Sequence, residues 1–361
     1  MKILFASITD TGIKRVRSEL ITQLLSKKHE VFVAVPNGPA IGDLEHMGCH
    51  VIPVEIQQHG TNPYNDIKLY KNYKKILKEL KPDVVLTFTT KPNVYCGMAA
   101  RKYNISVIMN ITGMGTALSN RGILQNILLA LYKRATNGNN MKCIFFQNDD
   151  SREFFRQHKL GNENIYRRIP GSGVNLSKYI TLPYPNDDTV HFLFVARVLK
   201  EKGIEEYVSA ATQIKEKFPN TEFHVLGNCD GKYKEFVDKH HRNGTINYHG
   251  QVNNISDYQK MSHCTIHPSY YPEGMSNVIL EAAASGRPVI TTDHPGCRDG
   301  VDNDKSGFVI AIKSSEELVK AITKFLEMSN DERREMGLAG RKKMEKEFDR
   351  QIVTNAYLNV I

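Results

Sequence analysis

Several things are missing from this 361-residue sequence, and each absence removes a class of function. No apolar run approaches the roughly 18–20 residues needed to span a bilayer. The six cysteines, at 49, 96, 143, 229, 264 and 297, stand far apart, without C-x-x-C or Cys/His ligand spacing. They read as reduced, mostly buried thiols and exclude a disulfide framework or a zinc site. Neither strand–turn–helix junction that opens a domain carries G-x-G-x-x-G or G-x-x-x-x-G-K-[ST], so dinucleotide redox chemistry and P-loop phosphoryl transfer lack their usual phosphate cradles. Internal repeats and low-complexity tracts are also lacking. The first residues, Met1–Ile8, are too short for a signal h-region and run into the loop Thr9-Asp10-Thr11-Gly12. The expected location is therefore cytoplasmic.

What is present is a globular composition, 40% hydrophobic and 24% charged, in a chain long enough for two domains. The net charge of +9 is uneven. Residues 1–180 carry 25 Lys and Arg against 13 Asp and Glu, a net of +12; residues 181–361 carry 23 against 26, a net of −3. The first half either meets something anionic (nucleic acid, a membrane surface or a diphosphate-bearing acceptor) or is a solvated basic face.

A β–α rhythm runs through the first half. Lys2–Ser7, Glu30–Val35, His50–Val54, Asp83–Phe88 and Val107–Ile111 read as buried parallel strands. Arg17–Lys27 and Asp66–Lys81 read as helices, the second with Ile67, Tyr70, Tyr73, Ile76, Leu77 and Leu80 facing one way. The rhythm breaks near Ile169–Val174, and Thr181–Asp188 reads as an interdomain linker. It restarts with strands at His191–Val198, Glu222–Leu226, Thr245–His249, Cys264–His267, Pro288–Thr292 and Phe308–Ile310. The expected fold is α/β, two doubly wound Rossmann-like domains facing each other across a cleft that holds the ligand. The expected divisions are 1–175, 176–345 and a C-terminal helix, 346–361, that crosses back to the first domain.

The second domain carries the chemistry. Arg197 is expected to end a buried strand, and Lys202 follows just before Gly203 opens a helix. Two cations at the carboxyl end of a parallel strand suit a diphosphate, Arg as a planar fork and Lys as a point charge. By themselves they are equally surface charges beside a turn. The segment Glu273-Gly274-Met275-Ser276-Asn277-Val278-Ile279-Leu280-Glu281 reads as a loop entering a helix. Gly274 allows close backbone approach, Ser276 is a good N-cap, and the free N–H groups of the first turn offer an anion site. Glu273 before the helix and Glu281 within it can reach one ligand from two ends, and a carboxylate suits vicinal hydroxyls. The plainer reading is a capped helix with an exposed Glu.

The E-x7-E spacing, followed by Ala282-Ala283-Ala284-Ser285-Gly286-Arg287-Pro288, resembles the large retaining GT-B glycosyltransferase family, of the family 4-like kind. Arg197-Val198-Leu199-Lys200-Glu201-Lys202-Gly203 is similar to its diphosphate-binding strand and turn, and Pro170-Gly171-Ser172-Gly173-Val174-Asn175 to its domain crossover. The resemblance covers nearly the whole chain. It implies that Arg197 and Lys202 bind the donor diphosphate and act on the leaving group, and that Glu281 takes the ribose hydroxyls. It implies further that Glu273 holds the transferred sugar and that the amides of Gly274, Met275, Ser276 and Asn277 meet sugar hydroxyls and phosphates. The loop His249-Gly250-Gln251-Val252 would contact the base, through Gly250 and Val252. Thr112, in Asn110–Gly115, stands where many members carry a His. Lys91, in Thr89–Asn93, is either an acceptor-phosphate ligand or a structural lysine.

Lys91-Pro92-Asn93, Gly113-Met114-Gly115, Glu273-Gly274-Met275-Ser276-Asn277 and Pro295-Gly296-Cys297-Arg298 resemble the subset that extends undecaprenyl-diphosphate-linked sugars in capsule, exopolysaccharide or glycan assembly. The resemblance implies a UDP-sugar donor, no cofactor, no metal, and a transfer of a hexose or N-acetylhexosamine with retention. It also implies peripheral contact with an anionic membrane; the basic residues are scattered over several elements and form no recognition module, so no nucleic-acid partner is expected. A stripe from Leu118 to Arg134 (Ile123, Leu124, Ile127, Leu128 and Leu131) is either a docking helix or core packing. Asp302-Asn303-Asp304 is formally D-x-D but has the composition of a solvated turn. Two other readings stay open: a UDP-N-acetylglucosamine 2-epimerase-like enzyme of the same architecture, and a non-catalytic nucleotide-sugar or nucleic-acid binding protein.

Overall fold

The structure is a computed structural model that describes residues 1–57, 60, 62–229 and 231–361. The chain divides into two compact units, residues 1–173 with 350–361, and residues 174–349.

The first unit is built on seven parallel strands, β1 Lys2–Ala6, β2 Glu30–Val35, β3 His50–Pro53, β4 Val84–Phe88, β5 Ser106–Ile111, β6 Met141–Phe146 and β7 Tyr166–Arg168, in the order β3-β2-β1-β4-β5-β6-β7. The Val/Ile-rich runs of β1, β2, β4, β5 and β6 are almost wholly buried because helices cover both faces, whereas β3, expected as a buried strand, lies at the sheet edge with Val51 and Ile52 only half-buried. One core holds Ile3, Phe5, Ile13, Leu20 and Val33, the other Leu4, Val85, Leu69, Tyr73 and Tyr132. Strands β6 and β7 go beyond the expected set. The apolar Cys143–Phe146 run signals the first, whereas β7 has three polar residues at the sheet edge and no readable period.

The helix expected over Asp66–Lys81 runs Pro63–Leu80, capped by Asn62 with Pro63 in its first turn. Its buried residues are Leu69, Tyr73 and Leu77, and Ile67 points outward. Ile67 lies two positions before Leu69, a rotation that carries it to the opposite side of the helix. The stripe expected over Leu118–Arg134 is two helices, Gly115–Ser119 and Ile123–Thr136.

Residues Arg350–Leu358 form a helix in this first unit. Its Tyr357 is fully buried, 4.6 Å from the Phe145 ring, and its hydroxyl accepts a hydrogen bond from the Asn110 amide.

The second unit has six parallel strands, β8 Val190–Val195, β9 Thr221–Leu226, β10 Asn247–Gly250, β11 Cys264–His267, β12 Val289–Thr292 and β13 Gly307–Ile310, in the order β10-β9-β8-β11-β12-β13. Strand order reverses between β8 and β11, and the carboxyl ends of the strands at such a reversal are where a doubly wound sheet places its ligand. The segment Thr181–Asp188, expected as a linker, lies inside this unit. The fully buried Arg287 guanidinium donates to the carbonyls of Leu182 and Pro183, at 3.2 and 2.6 Å, and stacks over Tyr184. All six cysteines are free thiols, and all but the half-buried Cys229 are buried. Among the described residues, no helix is long and apolar enough to cross a membrane.

Candidate functional site

The candidate residues of the second unit collect at the strand-order reversal. β8 ends at Val195, so Arg197 lies two residues beyond the strand and is exposed; it does not end the strand as expected. Ala196 still donates to Leu226 and Val198 to Asn228, and the two chains run so close that a Cβ on Gly227 would lie 1.8 Å from the Ala196 carbonyl. Gly227 also donates to the Gly250 carbonyl at 2.8 Å, so one glycine joins the ends of β8, β9 and β10. Its signal in the sequence is a glycine directly after the strand residues His224-Val225-Leu226.

Lys202 closes a short 3-10 turn, Lys200–Lys202, ahead of the helix Ile204–Lys217. Gly203 between them has φ 78°, and a Cβ there would sit 2.3 Å from the Pro268 carbonyl. This close approach presses the turn after β8 against the loop after β11. Tyr270 N–H donates to the Glu201 carbonyl at 2.9 Å, which ties the same two loops again.

Along that second loop the backbone reaches Glu273, whose carboxylate is ion-paired with the Lys202 ammonium. The pair is largely enclosed, 12% exposed on Lys202 and 18% on Glu273, and the ammonium lies 4.9 Å from the Tyr271 ring centroid. Burial pulls the Lys202 ammonium down to about 8, and Arg197 repels it further. The Glu273 carboxylate is the counter-charge working in the opposite direction.

The helix Asn277–Ala284 follows, with Ser276 at its N-cap in extended conformation. The Ser276 hydroxyl does not cap as expected; it pairs with His267 Nε2 at 3.1 Å, below the crevice. Burial pushes the His267 imidazole down to about 3, so it is neutral at ordinary pH. Nor is every amide of this segment open, because Ser276 N–H donates to the Gly296 carbonyl at 2.8 Å. The loop Pro295–Cys297 packs so closely on Gly274 that a Cβ at Gly296 would lie 2.6 Å from the Gly274 carbonyl. Met275 turns its side chain into the core with Ile279 and Cys297. Glu281 sits one turn into the helix and is 4% exposed. Val252 is half-buried against Leu193, Val195 and Leu226.

In the first unit, Lys91 pairs with Asp66 at 2.9 Å, both partners mostly enclosed. They line a cavity of about 560 Å³ with Pro36, Asn37, Glu55 and Leu69, at the carboxyl ends of β2 and β3. Thr89, just after β4, has φ 70°, a left-handed conformation that is strained for a β-branched residue. Thr112 is half-buried at the end of β5. Asp302 and Asp304 are each paired with a lysine, Lys343 at 2.8 Å and Lys324 at 2.6 Å, in the turn that enters β13. Among the described residues no group of three or more His, Cys, Asp or Glu is arranged to hold a metal ion.

Residues 184–343 match the family described as glycosyl transferases group 1, and residues 2–148 the family described as glycosyl transferase 4-like. The chain is 27% identical to the N,N'-diacetylbacillosaminyl-diphospho-undecaprenol alpha-1,3-N-acetylgalactosaminyltransferase of Campylobacter jejuni, over all of this chain and 98% of that protein. It is 24% identical to the capsular polysaccharide biosynthesis glycosyltransferase CapM of Staphylococcus aureus, over 98% of this chain and 94% of that one. The sucrose-phosphate synthase structure from Thermosynechococcus elongatus superposes with a TM-score of 0.82 at 18% identity, covering 99% of this chain and 98% of that one. Anabaena HepE in complex with UDP-glucose superposes with a TM-score of 0.81 at 16% identity, covering 99% and 98%. The architecture is that of a GT-B glycosyltransferase. The chain belongs to the group 1 glycosyltransferases, with a 4-like N-terminal region.

Proposed function

We propose that this glycosyltransferase moves a hexose or N-acetylhexosamine from a UDP-sugar to a polyprenyl-diphosphate-linked saccharide, with retention, in bacterial surface polysaccharide or glycan synthesis. The observation that carries the donor reading is the meeting of Lys202, Glu273 and the N-terminus of the helix Asn277–Ala284 at the strand-order reversal of the second unit. A nucleoside diphosphate presents charge and hydroxyls together, and this crevice offers cations, amides and carboxylates together. The acceptor reading is supported by the activity for which the Campylobacter relative is named.

On this reading Arg197 and Lys202 bind the diphosphate, Glu281 the ribose hydroxyls, and Glu273 the transferred sugar. The amides of Gly274, Met275 and Asn277 meet sugar or phosphate oxygens, and Gly250 and Val252 the base. The acceptor oxygen attacks the anomeric carbon on the side of the leaving group. The bond from that carbon to the diphosphate oxygen breaks, and the departing diphosphate takes up the acceptor proton. Arg197 and Lys202 stabilise the charge that grows on it. No cofactor or metal enters the scheme. The protein works in the cytoplasm, against the inner face of the cytoplasmic membrane.

The test is a thermal-shift screen with UDP, GDP and ADP and their sugars, followed by turnover with a short-chain polyprenyl-diphosphate saccharide. A shift selective for UDP or one UDP-sugar, and a product whose anomeric coupling matches the donor, are expected. Donor conversion without any acceptor would replace this reading by the epimerase one.

A further inference from the structure

The helix Asn277–Ala284 begins with a serine in the backbone shape of an N-cap, yet that serine does not cap. Ser276 has φ −78° and ψ 110°, the extended conformation from which a hydroxyl ordinarily accepts from the amide two or three residues on. Serine does this elsewhere in the second unit. Ser314 accepts from the Glu317 amide at 3.1 Å, and Ser329 from the Glu332 amide at 3.3 Å. At Ser276 the hydroxyl lies 3.1 Å from His267 Nε2 instead. Among the described residues, no group accepts from the amides of Asn277, Val278 or Ile279.

The imidazole is held firmly in place for that contact. His267 is 1% exposed at the end of β11, in register with Thr291 of β12, whose hydroxyl donates to the His267 carbonyl at 2.9 Å. Ser276 is fixed from its other side, where its N–H donates to the Gly296 carbonyl at 2.8 Å. Burial, reinforced by the Lys202 ammonium, keeps the imidazole neutral, so the ring brings no charge to the donor site. Its other nitrogen, Nδ1, is buried and meets no partner among the described residues. The bond to Ser276 is thus the one polar contact that the ring makes among them.

The uncapped amides stand where an anion can meet them. Val278 packs against Leu193, Val195 and Leu226, which puts the first turn of the helix beside the carboxyl ends of β8 and β9. Lys202 is close enough for its charge to be felt at His267, directly beneath that turn. A capping hydroxyl and a phosphate oxygen compete for the same N–H groups, because each N–H is a single donor.

We propose that His267 is a positioning residue for the donor: it holds the Ser276 hydroxyl off the helix and so keeps the first-turn amides open to a diphosphate oxygen. This role rests on the proposed donor reading and adds to it a residue that acts from beneath the ligand. Without the imidazole the hydroxyl turns to the Ile279 amide, as Ser314 and Ser329 do three residues before theirs, and UDP must displace it.

The experiment is a double-mutant cycle on the full chain, read as UDP affinity by calorimetry. Leucine is close to the imidazole in volume and makes no hydrogen bond. His267→Leu should weaken UDP about fivefold, the equivalent of one ordinary cap. In the Ser276→Ala background the same leucine should cost less than about twofold, since no hydroxyl is left to cap. His267→Gln, which returns an N–H to the hydroxyl, should bind UDP more tightly than His267→Leu. Melting temperature separates this role from a merely structural bond. His267→Leu should melt no lower than His267→Leu/Ser276→Ala, because the released hydroxyl caps the helix. A structural bond gives the reverse, because the leucine then strands a buried hydroxyl. Unchanged affinity in His267→Leu, or an equal loss with and without the Ser276 hydroxyl, would overturn the role and leave the donor reading standing. A crystal structure of the wild type with UDP decides the matter with no variant. A phosphate oxygen on the Val278 or Ile279 amide, with Ser276 still on His267, is expected; a Ser276 hydroxyl on the Ile279 amide would overturn the role. Wild type that binds no nucleoside diphosphate would remove the donor reading itself, and this role with it.

Discussion

Lys202 and Glu273, 71 positions apart in sequence, form an enclosed ion pair where the loops leaving β8 and β11 meet. Neither loop alone explains the contact. Gly203 against Pro268 and Tyr270 against Glu201 bring the loops together, and the pair follows.

The first prediction concerns that pair. Removing the carboxylate takes away the charge that opposes the effect of burial on Lys202, so Glu273→Gln should lower the ammonium's pKa further. UDP affinity, measured by calorimetry across pH, should fall in the wild type as pH rises through about 8. In Glu273→Gln the fall should come at lower pH. A limb that stays in place or moves to higher pH would show that Lys202 is not the group being titrated.

Donor contacts should separate binding from turnover. Glu281→Ala should weaken UDP binding by roughly 1–3 kcal/mol, the cost of losing hydrogen bonds to a charged group. That is on the order of 5- to 150-fold in Kd. Arg197→Ala should lower kcat more than it raises Kd, because the diphosphate charge it faces grows in the transition state. Equal turnover in Arg197→Ala and wild type would remove the diphosphate assignment.

Gly227→Ala tests a structural contact. The residue has φ 141°, and its new methyl would lie 1.8 Å from the Ala196 carbonyl. At least about 2 kcal/mol of stability should be lost, as urea unfolding would register. Wild-type stability in the variant would mean that the ends of β8, β9 and β10 are not joined as described.

Acid should destabilise the second unit through a row of histidines across its sheet. His191 Nδ1 meets His224 Nε2 at 3.1 Å, His224 Nδ1 meets His249 Nε2 at 3.0 Å, and His263 stacks on His191. Burial, reinforced by the neighbouring imidazoles, pushes His224 and His263 down to about 4, with Glu222 and Asp187 in weaker opposition. Between the ordinary value near 6.5 and about 4 the unfolded chain binds more protons than the folded one. Stability should therefore be complete above about pH 6.5 and fall as pH drops toward 4, by on the order of 3 kcal/mol. Urea unfolding at stepped pH would measure this, and His224→Gln should flatten the slope.

By itself the sequence determined the parallel β–α order of both units, the free thiols and the two loops that carry the candidate donor residues. Those features rest on local periods, on turn residues and on spacing within a few residues, all of which a one-dimensional pattern records. The same locality hid β7, whose three residues have no apolar alternation, and placed Ile67 on the wrong side of its helix. Only the tertiary structure decided that Lys202 meets Glu273, that the Ser276 hydroxyl goes to His267 in place of capping, and that Gly227 joins three strand ends. It alone seats Tyr357 beside Asn110 and leaves Ile123 and Ile127 exposed. Each of these depends on which strands become neighbours, and strand order is set by how whole layers pack. A short window of sequence shows that a residue is apolar, charged or a glycine; the fold decides what stands opposite it.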